Sequence, residues 1–189
     1  MQELPTSLRP DLIPSLVLIG GFVRHAKINP ITNALLWLML HNPWRVHMWA
    51  IYYGTLYPTQ KPADFRDYLS QLTENLKQPG RFDAIVALGN SSRQPSEERL
   101  KQVKAPTLII MGTKDPDFPN PVAEGKYIAE QTGGHFELIE GAGHYPQTEM
   151  PHKTTPLVID FLGRSTRTEH LRSRVDRVGL KNMREFNRT

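Results

Sequence analysis

Apolar positions in this chain fall into two kinds of pattern, short unbroken runs and helically spaced stripes, and the two alternate. Leu108 to Met111 is an unbroken run closed by Gly112, which predicts a strand covered on both faces. Asn120 then reads as an N-cap and Pro121 as the first helical residue, where a missing N–H costs nothing. Val122, Ala123, Tyr127, Ile128 and Ala129 recur at helical spacing, and Gly133-Gly134 stops that helix. Phe136 to Glu140 reads as another strand, ending in Gly141-Ala142-Gly143. Upstream, Leu16 to Ile19 is a strand followed by Gly20-Gly21, small residues that either admit a ligand or simply turn the chain.

Between these strands the pattern is helical. Ile31 to Leu40 is apolar nearly all round, His41-Asn42-Pro43 breaks it, and Trp44 to Tyr57 carries Trp44, Trp49, Tyr52, Tyr53 and Tyr57. Those aromatics line a binding pocket or form the segment's own core, with an interfacial role at a lipid surface as the lesser reading. Asp64 to Leu76 is amphipathic, with Phe65, Tyr68, Leu69, Leu72 and Leu76 on one face. Phe82 to Leu88 and a polar helix opening at Pro95 return the chain toward Val103. After His144, a last helix is expected to restart at Pro156, capped by Thr154 or Thr155, with Leu157, Val158, Phe161 and Leu162 packing on the sheet.

A strand, a helix and a strand joined this tightly form a right-handed crossover, so the two strands are parallel. Their carboxyl ends then share one rim, where open α/β sheets place their ligands. Asp115 follows the first strand and His144 the second. Neighbouring strands lie ~4.8 Å apart, so the two loop side chains can meet. A carboxylate orienting an imidazole is half of a nucleophilic triad. Asp117 is the local rival for the acid, with a turn-supporting role as its simpler reading, and the G-x-x-D register favours Asp115. Glu149 reads as a helix-entry carboxylate near the positive end of a dipole.

The pair P-T-L-I-I-M-G-T-K-D and G-A-G-H-Y-P-Q-T-E-M-P, whose Asp and His stand 29 positions apart, resembles the end of an α/β-hydrolase domain. The resemblance runs from about Pro10 to about Leu162. It implies Asp115 as triad acid and His144 as triad base. It also implies an α/β fold of incomplete α/β-hydrolase type, a parallel sheet of about three strands flanked by helices, with a helical cap. The expected division is a partial core over 1–26 and 101–162, a cap over 27–100 and a basic tail over 163–189.

In this family the nucleophile sits on a G-x-S-x-G elbow ahead of the acid and base. The sequence holds no G-x-S-x-G. Leu4 to Pro10 reads as the tail of the elbow helix, which places the expected elbow upstream of Met1. Ser7 and Ser15 stand in the wrong context for a nucleophile. The expectation is therefore a hydrolase of esters, epoxides or similar small apolar substrates, completed by upstream sequence. The alternative is a non-hydrolytic remnant or binding module that self-associates through the Leu16–Ile19 edge.

Composition narrows this only a little. With 39% hydrophobic and 22% charged residues the chain has the balance of a water-soluble protein. It has no cysteine, so no thiolate metal site and no disulfide, which suits a cytoplasmic location. Met1-Gln-Glu-Leu-Pro does not open a signal peptide. The formal charge of +4 comes from the tail: residues 163–189 hold eight Lys/Arg against three Asp/Glu. The body gives no reason to expect nucleic acid. The tail reads as a solvated helix or disorder, with nucleic-acid or membrane-surface contact as the lesser reading. No apolar run reaches the roughly 20 residues that span a bilayer. His25, His41, His47, His135, His152 and His170 show no metal-ligand spacing, and no phosphate loop is present, so no metal or cofactor is expected.

Overall fold

The computed structural model describes residues 12–24 and 30–165. The expected helix tail over Leu4–Pro10 with Ser7, and the tail from residue 166 onward, lie outside the described residues, as do His25 and His170.

Among the described residues three parallel strands form one sheet in the order β1 (Leu16–Ile19), β2 (Thr107–Gly112), β3 (His135–Ile139). Leu16 pairs with Thr107 and Ile19 with Ile110; on the other side Leu108 pairs with His135 and Gly112 with Ile139. Every residue of β2 is buried, as its unbroken apolar run requires of a central strand. Its side chains alternate between two layers. Ile109 and Met111 pack with Val23, Leu100, Phe118 and Ile128, while Leu108 and Ile110 pack with Ile139, Ala142 and Met150 on the opposite face. Burying each such side chain stabilises the fold by about 1.5–3 kcal/mol relative to exposure.

Among the described residues five α-helices lie between β1 and β2: α1 (Pro30–Met39), α2 (Arg45–Thr55), α3 (Phe65–Lys77), α4 (Arg81–Gly89) and α5 (Gln94–Arg99). Tyr53, Leu56, Tyr57 and Phe65 make a buried cluster there, with Tyr52, Leu69, Leu72 and Tyr145 packed against it. The tyrosines at this point are thus core material, whereas Trp37 and Trp44 are 61% and 44% exposed.

Between β2 and β3 runs α6 (Pro121–Thr132). The Asn120 side chain accepts from the Ala123 N–H at 2.9 Å, and Gly133 closes the helix in the left-handed conformation. After β3 come α7 (Pro146–Glu149) and α8, which covers residues 151–165.

The expected restart at Pro156 does not occur; α8 runs straight through it. Pro156 falls in the second turn, where it gives up one backbone hydrogen bond. Leu157, Val158 and Phe161 bury against the sheet from the same helix, which outweighs that loss. Thr154 is not a cap: its buried hydroxyl donates to the carbonyls of Pro146 and Met150. β3 also begins and ends one residue earlier than its apolar pattern suggested.

Candidate active site

The acid loop and the histidine loop are stitched to each other before either side chain is considered. Thr113 N–H donates to the Ile139 carbonyl at 3.1 Å and Lys114 N–H to the Ala142 carbonyl at 2.9 Å. The Gly141 N–H donates back to the Thr113 hydroxyl at 2.8 Å. Neighbouring parallel strands that end at one level make this possible, since each loop continues the ladder its strand began.

On that scaffold Asp115 and His144 meet. His144 Nδ1 stands 2.8 Å from Asp115 Oδ2, so the carboxylate accepts the Nδ1 proton and leaves Nε2 as the basic nitrogen. The Asp115 side chain is fully buried and that of His144 is 11% exposed. Asp115 Oδ1 also accepts from the Asp117 N–H at 3.0 Å. Both carboxylate oxygens are thereby occupied, and the carboxyl cannot swing away from the ring.

Asp117 does more than shape a turn. Its Oδ2 lies 3.5 Å from His144 Nδ1, and its Oδ1 accepts from the Tyr52 hydroxyl of α2. Burial raises the pKa of Asp117; Tyr52 and His144 oppose that, and Asp115 adds to it. Burial pulls the His144 imidazole down, but the hydrogen bond and charge of Asp115, with the charge of Asp117, outweigh it. The His144 pKa is raised above its ordinary 6.5. The Tyr52 hydroxyl, buried beside two carboxylates, is pushed far up and stays protonated.

Aromatic rings wall the imidazole. Phe22, 39% exposed, lies 5.1 Å from it between centroids, Phe118 lies 6.3 Å away, and Tyr145 meets it edge-on at 4.9 Å. Burial and the nearby Tyr57 and Asp117 push the Tyr145 hydroxyl up to about 12. Gly20 has φ +58, and a Cβ there would stand 2.9 Å from His144 Cε1. The group its small size admits is therefore the imidazole of His144.

Asp115, Asp117 and His144 each offer a ligand atom within 4.8 Å of the others, the one such group among the described residues. The contacts within the trio already account for that closeness. The residues that sequence reasoning missed are Tyr52 and the true role of Glu149. Glu149 is 2% exposed, and besides standing at a helix entry its oxygens accept from three backbone N–H groups of other loops. Tyr52 and Asp117 stand 65 positions apart, and no local pattern links them.

No family model matches the chain. The monoacylglycerol lipase ABHD6 of Rattus norvegicus is 34% identical over 79 residues, which is 41% of this chain and 23% of that protein. The chain thus spans about a quarter of the length of the curated relatives it matches. Among solved structures, a membrane phospholipase A described as a bacterial virulence factor superposes with TM-score 0.65 at 22% identity, covering 86% of this chain and 53% of that one. MGS-M2, an α/β-hydrolase enzyme from a deep-sea metagenome library, superposes with TM-score 0.57 at 21% identity, covering 84% and 59%. The three parallel strands, their flanking helices and these superpositions agree: the chain has, in part, the α/β-hydrolase fold.

Proposed function

We propose that this chain supplies the acid and base of a hydrolase site, Asp115 orienting His144 and His144 taking a proton from a nucleophile or water. The observation that carries the reading is the 2.8 Å contact between a buried carboxylate and an imidazole at the carboxyl ends of adjacent parallel strands. In such a pair the carboxylate holds the ring in one tautomer and stabilises the imidazolium that forms. The helical segment over 27–100 acts as the cap above the site, and Phe22, Phe118 and Tyr145 give it an apolar wall. Small apolar esters, epoxides and similar molecules suit that wall. The monoacylglycerol lipase and phospholipase among the similar proteins favour an acyl ester within that class. A cytoplasmic location is part of the same proposal.

No G-x-S-x-G elbow occurs in the sequence, so this reading assigns only the acid and the base to these residues. That same observation favours a second reading, a binding module with no hydrolysis of its own. Hydrolysis of p-nitrophenyl esters by the longest product of the reading frame, wild type against His144→Ala, separates the two. The enzyme reading expects turnover that falls at least ~10²-fold in the variant. No turnover above the variant's level overturns it in favour of the binding module.

A further inference from the structure

Glu149 is a buried carboxylate that the acid–base pair does not use. One of its oxygens accepts from Thr59 N–H at 2.7 Å and Gln60 N–H at 3.0 Å; the other accepts from Gly143 N–H at 2.6 Å. At 2% exposure it is shielded from bulk solvent. Bonds to an ionised acceptor are roughly twice as strong as neutral ones, and a carboxylate leaving them inside the protein would be stranded.

The three donors come from two places that matter. Thr59 and Gln60 lie in the segment that leaves α2, and Gly143 directly precedes His144. The same two stretches meet twice more: His144 N–H donates to the Leu56 carbonyl at 3.0 Å, and the Thr59 hydroxyl donates to the Gly141 carbonyl. No side chain fits between them, since a Cβ on Gly143 would stand 2.2 Å from the Leu56 oxygen. Segment 56–60 and loop 141–144 are therefore one bonded unit, with the Glu149 carboxylate at its centre.

We infer that Glu149 is a positioning residue for His144: its single carboxylate clamps the histidine loop to the segment leaving α2, so that the place of the helical segment sets the place of the imidazole against Asp115. The inference rests on the acid–base reading of Asp115 and His144. It adds that movement of α2 and its exit segment is passed to the base through this bonded unit, which Glu149 holds together. Asp115 and Asp117 on the acid loop, Tyr145 beside the ring and Tyr52 through Asp117 are the titratable groups facing His144. Glu149 reaches it only through the backbone.

The test is hydrogen–deuterium exchange of the full chain read by mass spectrometry, which follows backbone amides and the slow exchange at the His144 ring carbon, whose pH profile reports the imidazole pKa. Glu149→Gln keeps the reach and removes the charge; Glu149→Asp keeps the charge and shortens the reach. Both are expected to speed amide exchange in 56–60 and 141–144 together, by about tenfold or more, and to move the His144 midpoint down toward its ordinary value. Asp115→Asn is the control for the pair itself. A wild-type midpoint that Asp115→Asn leaves in place removes the acid–base reading, and the inference with it. A midpoint that drops in Asp115→Asn but stands unchanged in both Glu149 variants overturns the inference alone and leaves Glu149 a structural tie. Should either variant fail to fold, wild-type exchange decides: the two stretches open with one common rate if the clamp is real and with separate rates if it is not.

Discussion

Asp115 and Asp117 stand two residues apart, and the structure gives them different work on one nitrogen. Asp115 is the nearer at 2.8 Å and has both oxygens committed, while Asp117 stands at 3.5 Å and shares itself with Tyr52. The register after the strand pointed to Asp115, because the first residues past a strand end are directed by the strand itself. The sequence shows only turn support for Asp117, because its partner Tyr52 comes from a distant helix. The raised His144 pKa has a consequence for stability. The folded imidazole holds its proton more tightly than the unfolded one does, so this contribution is complete below about pH 6.5 and is lost as pH rises through the folded value. Asp117, raised in the fold, has the same sign at lower pH: its contribution is full below its ordinary 3.8 and lost as pH climbs through its raised value. Melting temperature measured against pH is expected to decline above pH 6.5, and Asp115→Asn to flatten that decline. Equal slopes in the two proteins would contradict the assignment of the shift to Asp115.

At the level of elements, what the chain declares locally came out where expected. β1 begins and ends as its apolar run does, and α6 starts at the Asn120 cap and stops at Gly133. Elements whose limits depend on a neighbour did not. Pro156 looks like a helix breaker until α8 is seen packing Leu157, Val158 and Phe161 on the sheet. The loop before His144 is the sharper case, since nothing in G-A-G states why its last glycine must lack a side chain. The reason is the Leu56 carbonyl across the interface. Gly143→Ala is expected to destabilise by about 1–3 kcal/mol through overpacking against backbone that cannot rotate away. Gly89→Ala, where a Cβ meets nothing within 4 Å, serves as control and should be neutral or slightly stabilising. Denaturant midpoints for the two variants check this, and equal midpoints would remove the close-approach argument.

For the whole molecule, the open question is the outer edge of β1. Leu16 and Gly20 donate toward β2, so the backbone groups of Val17 and Ile19 point to the far side, where β1 has no partner among the described residues. Their side chains join the layer under α8, which makes the edge apolar as well. Such an edge is a pairing template. The isolated chain is therefore expected to self-associate in size-exclusion chromatography, and a monodisperse monomer would contradict this. No helix among the described residues is long and apolar enough to cross a membrane.

What the order of residues determined by itself was local and periodic: which runs are strands, where α6 is capped, and that an acid and a histidine follow successive parallel strands. Side-chain periodicity and the handedness of crossovers act over a few residues, so they can be read without a partner. What only the tertiary structure decided was which distant groups meet: Tyr52 on Asp117, the Leu56 carbonyl on Gly143, and Glu149 on three amides from two loops. A hydrogen bond across a fold depends on where two segments come to rest, and nothing in either segment alone carries that position.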